Sequence, residues 1–170
     1  EIASYFVKKL GAQINELDKH GDTALHVAAC NDIFYCEKLI EECGANPNYP
    51  NSAGRLPVEY AAMREKYEAM QYLLPLSTLS PKQNLMLAIK ARDADKVKKI
   101  LQQTPNLACG ADKFGDRPIV KATESGDMYV LHLLINSGAK IELGDEEETL
   151  LHILCYGNYP NVACARYLVE

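Results

Sequence analysis

Apolar positions along this chain fall into two alternating patterns. Short runs rich in alanine, such as Leu25-His-Val-Ala-Ala29 and Val58-Glu-Tyr-Ala-Ala62, are followed by runs in which large apolar residues recur at helical spacing. Phe34, Cys36, Leu39 and Ile40 form one such set; Met128, Leu131, Leu134 and Ile135 form another. Both patterns predict helices. Thr23, just ahead of the first run, is placed to cap it by accepting backbone N–H groups, and Ala28 and Ala29 keep that helix narrow enough for close stacking. Gly44 and Gly138 follow the second runs and supply left-handed C-terminal stops. The predicted unit is helix, turn, helix, hairpin loop.

The unit repeats. Gly21-Asp-Thr-Ala-Leu-His-Val-Ala-Ala29 is matched by Gly54-Arg-Leu-Pro-Val-Glu-Tyr-Ala-Ala62, 33 residues later. The frame returns at Gly115-Asp-Arg-Pro-Ile-Val-Lys-Ala122, 94 after Gly21, and at Thr149-Leu-Leu-His-Ile-Leu154, 126 after Thr23. A weaker copy, Asn84-Leu-Met-Leu-Ala-Ile-Lys90, puts Ala88 27 residues after Ala61 and 34 before Ala122. Five copies result, with approximate bounds 18–50, 51–77, 78–111, 112–143 and 144–170, after a partial copy at 1–17. A single copy cannot cover its own apolar face, so stability must come from stacking neighbours.

These residues resemble the ankyrin-repeat family signature Gly-x-Thr-Pro-Leu-His-x-Ala-Ala, from which Gly21–Ala29 departs only at Ala24. Lys38-Leu-Ile-Glu-Glu-Cys-Gly-Ala-Asn-Pro-Asn48 and Leu133-Leu-Ile-Asn-Ser-Gly-Ala-Lys-Ile141 are similar to the family's closing Leu-Leu-x-x-Gly-Ala-Asp-x-Asn, and Val7–Asn15 reads as the end of an earlier repeat. The resemblance covers nearly the whole chain and implies an all-α ankyrin-repeat solenoid. It also implies that His26 and His152 hydrogen-bond backbone between repeats. The divergence of the repeats resembles ankyrin effectors that intracellular bacteria deliver into host cells.

The frame breaks in three places. Between Leu73 and Leu85 the hairpin is missing, with Pro75 expected to end one helix and Ser80-Pro81 to begin the next. Asp145-Glu-Glu-Glu148 forms an acidic loop, read as solvated surface or as an attraction for a basic partner segment. Tyr156-Gly-Asn-Tyr-Pro160 lengthens a turn. The chain starts inside a second helix and stops with another still running, so a fragment of a longer protein is expected.

Composition narrows the function. Of 170 residues, 48% are hydrophobic and 24% charged, enough for a real core, while the net charge of −5 argues against a nucleic-acid binder. No apolar window is long enough for a membrane span. The six cysteines, Cys30, Cys36, Cys43, Cys109, Cys155 and Cys164, form no Cys-x-x-Cys pair, and no glycosylation sequon is present. They are read as reduced thiols in a cytoplasmic protein, or one in the host cytosol if it is delivered there. His26 with Cys30, and His152 with Cys155, stand one helical turn apart, but a closed zinc site needs four ligands. No metal, cofactor or catalytic residue is expected, nor is an electropositive neighbour that would activate a thiol. Lys90, Arg92, Lys96, Lys98 and Lys99 read as the solvated face of an amphipathic helix.

The expected function is a protein–protein interaction scaffold that binds another protein through the concave face of hairpins and first helices. The alternative is the recognition portion of a larger enzyme whose catalytic domain lies elsewhere. By their place in the repeat, the candidate contact residues are Lys19, His20, Asp22, Cys30 and Asn31, then Ser52, Arg55, Met63 and Arg64, then Lys90. Lys113, Phe114, Asp116, Glu124 and Ser125 follow, and Asp145, Glu146, Glu148 and Tyr156 close the set. Phe114, Tyr156, Arg55 and Arg64 are the expected anchors, because aromatic and arginine side chains dominate interface energies.

Overall fold

The structure, a computed structural model, describes residues 2–141 and Leu150. Its helices are α1 (Ile2–Leu10), α2 (Ala24–Ala29), α3 (Ile33–Glu41), α4 (Pro57–Met63), α5 (Tyr67–Leu73), α6 (Pro81–Lys90), α7 (Ala94–Gln103), α8 (Pro118–Ser125) and α9 (Met128–Asn136). Short 3-10 turns lie at Leu74–Leu76 and Pro105–Ala108, and no strand occurs among the described residues. The fold is all-α, built of ankyrin-type helix pairs. Of the fifth copy only Leu150 is among the described residues. Two compact units divide the chain, residues 1–78 and 79–170.

In the first unit α2 packs on α3 and α4, and α4 on α5. Leu25, Ala28, Ala29, Val58, Ala61 and Ala62 from the first helices are buried together with Cys36, Ala69, Met70 and Leu73 from the second. In the second unit α6 packs on α7 and α8, and α9 closes on α7 and α8. Leu85, Ala88, Ile89, Val97, Leu101, Ile119, Ala122, Val130, Leu131 and Leu134 form its core, with Leu150. The alanines at 28, 61, 88 and 122 are all buried, so the repeat frame is also the packing frame.

The hairpin turns are built three times to one plan. Asp18 Oδ1 accepts from the N–H groups of His20 and Asp22, at 2.8 and 3.0 Å, while Asp18 N donates to Asp22 O at 2.8 Å. Asn51 does the same for Ala53 and Arg55, and Asp112 for Phe114 and Asp116. Each turn needs a left-handed residue, supplied by Gly21, Gly54 and Gly115. Gly21 is required twice over, because a Cβ there would stand 1.8 Å from Ser52 Oγ, in the neighbouring hairpin whose Ser52 N–H donates to Gly21 O.

Where the third hairpin is missing, the chain substitutes other bonds. Helix α5 stops at Leu73 and Pro75 sits in the 3-10 turn that follows. Asn48 replaces the lost loop contacts by donating to Leu76 O and accepting from Thr78 N–H. Helix α6 then begins three residues ahead of the repeat frame, with a reciprocal cap between Ser80 and Gln83. Lys82, on that extra turn, donates from Nζ to the carbonyls of Leu107 (2.7 Å), Cys109 (2.7 Å) and Gly110 (3.0 Å).

One expectation is corrected. Phe34, placed with the apolar side of α3, is 54% exposed; it stacks edge-on with Tyr35 at 5.7 Å and lies beneath Lys38 Nζ. Leu39 and Ile40 are partly buried, so only Cys36 of that set is fully buried. The turn between paired helices also holds a feature that apolar patterning does not register. A left-handed residue recurs at Glu65, Arg92 and Gly126, spaced by the same 27 and 34 residues as the alanines, and glycine fills only the last.

Candidate functional site

The face expected to bind is formed by hairpin residues and by the outward side of each first helix. Helical spacing puts Val27, Cys30 and Asn31 on one side of α2 and its C-terminal turn, opposite the buried Leu25, Ala28 and Ala29. The repeat puts Tyr60, Met63 and Arg64 on the equivalent side of α4. Because α2 packs directly on α4, the two sides form one surface in the first unit. Val27 is 50% exposed and Met63 51%, with Tyr60 and Cys30 half-buried between them.

Polar links hold this surface in shape. His26, fully buried, lies beneath it: Nδ1 is 2.7 Å from Thr23 Oγ1 and Nε2 is 2.9 Å from Arg55 O. A carbonyl can only accept, so Nε2 carries the proton and Nδ1 accepts from Thr23. Burial lowers the pKa of His26 below its ordinary value, and the ring is neutral at pH 7. The ring of Tyr60 packs edge-on against His26 at 5.1 Å. Asn51 Nδ2 donates to Asp22 Oδ1 at 2.7 Å and contacts Tyr60 Oη at 2.9 Å. Burial, with the neighbouring Asp22, raises the Tyr60 phenol above its usual range.

Cys30 has an electropositive neighbour after all, since the charge of Arg64 in the next repeat acts to lower its thiol pKa. Burial outweighs the guanidinium, and the thiol is raised above its ordinary value. Cys36, wholly buried, is pushed up to about 11. Neither is a thiolate at neutral pH, which is the form nucleophilic or metal chemistry requires. Among the described residues no group of three or more His, Cys, Asp or Glu is placed to hold a metal ion.

The remaining expected residues separate by unit. Lys19, His20, Asn31 and Ser52 are exposed in the first unit, Arg55 is half-buried, and Asn31 donates from its side chain to Val27 O at 2.7 Å. In the second unit the equivalent side of α6 carries Leu87, buried, and Lys90, half-buried. On α8 it carries Lys121, which pairs with Asp116 at 3.4 Å and with Glu124 at 3.0 Å. Arg92 donates to Ser125 O at 2.9 Å. Phe114 is half-buried, with Lys113 Nζ 4.6 Å from its ring centroid. Thus the first unit exposes apolar side chains at these positions, while in the second unit Lys121 and Arg92 are bonded within the unit. Asp145, Glu146, Glu148 and Tyr156 lie outside the described residues.

Val27 and Tyr60 were not among the expected contacts. Both precede the Ala-Ala pair, and Val27 lies three residues before Cys30, so the helical spacing that selected Cys30 also reaches Val27. A separate open groove of about 420 Å³ lies where α3 and α5 begin, lined by residues that include Asp32, Ile33, Glu65 and Tyr67.

Comparison with known proteins agrees with this geometry. A family model described as ankyrin repeats, three copies, matches residues 1–83. The zebrafish (Danio rerio) ankyrin repeat and SAM domain-containing protein 6 is 28% identical over 135 residues, 74% of this chain and 18% of that protein. Human (Homo sapiens) Rabankyrin-5 is 28% identical over 167 residues, 90% of this chain and 14% of that one. The Caenorhabditis elegans homolog of transient receptor potential cation channel subfamily A member 1 is 26% identical over 167 residues, 92% of this chain and 13% of its own length. The chain therefore spans less than a fifth of each of these relatives. Among solved structures, a chain from the complex of the Bdellovibrio bacteriovorus endopeptidase Bd0816 with immunity protein Bd3460 superposes with a TM-score of 0.61 at 18% identity, covering 95% of this chain and 89% of that one. The ankyrin repeat domain of Bcl-3 does so with a TM-score of 0.55 at 18% identity, covering 98% and 74%. On its repeats, its helix pairs and these likenesses, the chain has the ankyrin-repeat fold, and residues 1–83 match the ankyrin-repeat family model.

Proposed function

We propose that the chain binds a partner protein through the hairpin and first-helix face of its first unit. Ankyrin repeats generally mediate protein–protein interaction. The observation that carries the placement is the pair Val27 and Met63, each about half exposed on adjacent packed helices. A protein gains nothing in stability from apolar side chains left in water, and a contiguous exposed patch rimmed by polar groups is the usual mark of an interface. Arg64 and Asn31 provide the rim. The second-unit residues Lys90, Lys113, Phe114, Asp116 and Glu124, and the acidic loop at 145–148, are proposed separately as partner contacts of that unit.

Capture of partners by the immobilised full chain tests the site. Met63→Glu and Arg64→Glu should abolish capture, while Lys38→Glu and Glu41→Lys on α3 should leave it intact. Loss only in the α3 variants would move the site to the second helices and sink the proposal. In a longer polypeptide the same face would serve as the recognition portion of an enzyme lying elsewhere, and the same substitutions would then lower turnover of a protein substrate. A cytoplasmic location accords with the described cysteines: Cys30, Cys36, Cys43 and Cys109 are all free thiols, and two of them are buried. No helix among the described residues is long and apolar enough to cross a membrane.

A further inference from the structure

We infer that the first unit carries a second docking surface, around Tyr49 and Leu76, that takes an uncharged protein segment bearing aliphatic side chains. This surface is separate from the one at Val27 and Met63. Residues 43–54 and 69–78 contain no Asp, Glu, Lys, Arg or His. Ten of these positions are exposed, so the gap in charge lies on the surface as well as in the core. Asn48 holds the two stretches side by side: Nδ2 donates to Leu76 O at 3.0 Å, and Oδ1 accepts from Thr78 N–H at 2.5 Å. Tyr49, next in the chain, is 41% exposed and Leu76 equally so, and Pro50 and Pro75 are exposed as well. Charges of both signs begin outside the two stretches, at Glu42, Arg55 and Glu68 along the chain and in the hairpin from Glu16 to Asp22, which Asn46 and Ser52 tie alongside.

The cores of protein interfaces are depleted of charged residues and enriched in tyrosine, and these two stretches have that composition on exposed positions. Between the first two copies one hairpin lies against the next, Ser52 N–H donating to Gly21 O at 2.9 Å. The run from Leu74 to Thr78 forms a 3-10 turn in place of a hairpin, and it leaves Tyr49 and Leu76 in water. A partner charge seated here would lose hydration with no opposite charge inside the surface to compensate. An uncharged segment suffers no such loss. Its aliphatic side chains would cover Tyr49 and Leu76, and its amides would face the exposed polar side chains of Ser52 and Gln71. The surface is also rigid, because Pro47, Pro50 and Pro75 each fix a backbone angle and Asn48 bonds one stretch to the other, so little freedom is lost on binding.

The chain contains no tryptophan, so the indole fluorescence of a peptide reports its binding directly. The probes are three end-capped decapeptides of leucine, serine, glutamine and one tryptophan, identical except that two serines become lysines in the second and glutamates in the third. The uncharged peptide should bind the full chain at least about tenfold more tightly than either charged one, with an affinity that added salt does not weaken. Leu76→Asp and Tyr49→Asp should each lower that affinity about tenfold or more. Thermal melts establish that each variant is folded, and Tyr49→Asn repeats the test without a new charge. Failure of the uncharged peptide to bind, equal binding of all three, or unchanged affinity in the Tyr49 and Leu76 variants overturns the inference. Loss of peptide binding in Met63→Glu but not in Leu76→Asp would put the peptide on the first-helix face and overturn it as well. Sedimentation of the chain alone supplies the last arm. Self-association that Leu76→Asp removes would make the occupant a second copy and overturn a separate partner.

Discussion

His26 Nε2 donates to Arg55 O at 2.9 Å, so one side chain of the first complete repeat is bonded to the backbone of the next. This bond joins a buried ring to the base of the neighbouring hairpin and sets the separation of α2 and α4, which in turn sets the surface above them. In the next copy Glu59 occupies the same place, and its carboxylate turns back to Leu56 N–H instead of reaching across.

Stability should depend on pH through this ring. Its pKa is lower in the folded chain than the ordinary value of about 6.5. The unfolded chain therefore takes up a proton first as pH falls, so the contribution is complete above about 6.5 and is lost progressively below it. Thermal melts at pH 8, 6 and 5 should show a declining midpoint, with a shallower decline in His26→Gln. An equally steep decline in that variant would show that the acid sensitivity originates elsewhere.

The left-handed position between paired helices should respond to glycine in opposite ways. Glu65 has φ of 56° and bears the cost of a Cβ in that region, whereas Gly126, at φ of 67°, does not. Glu65→Gly should stabilise by up to about 1 kcal/mol, and Gly126→Ala should destabilise by about 1 kcal/mol. Urea titration of both variants measures this; a loss of stability in Glu65→Gly would refute the strain argument.

Enlarging the alanines of the stacking frame should overpack it. Ala61 and Ala122 have no exposed surface, and Ala28 has 5%. Ala28→Leu and Ala122→Leu should each cost about 1–3 kcal/mol, read as lower unfolding midpoints in denaturant. Unchanged midpoints in both would dissociate the repeat frame from the packing frame.

Lys82 should matter more than an ordinary surface lysine. Its ammonium satisfies three carbonyls, and burial lowers its pKa below the usual lysine value. Lys82→Met keeps the stem and removes the donors, leaving those carbonyls to water, and should cost about 1–3 kcal/mol. Lys98→Met, on the exposed side of α7, is the control. Equal behaviour of the two would mean the carbonyl cradle adds nothing.

The sequence by itself determined the helix pairs, their period, the caps at Thr23 and Ser80, and the left-handed glycines, because each depends on residues close in the chain. Spacing of Leu25, Ala28 and Ala29 marks a buried side whatever the neighbours are. It also assigned the candidate contacts to hairpins and first helices by their place in the repeat. Tertiary structure decided which of those positions form an apolar surface. Val27 and Met63 are 36 residues apart and lie on adjacent helices only because α2 packs on α4. Phe114 reads as an exposed anchor in sequence but is half-buried beside Lys113. The direction of each charge is likewise a long-range property. Asp22 and Lys19 are both hairpin residues, yet Asp22 is drawn inward by Asn51 of the next repeat while Lys19 has only solvent to face, and no local rule separates the two.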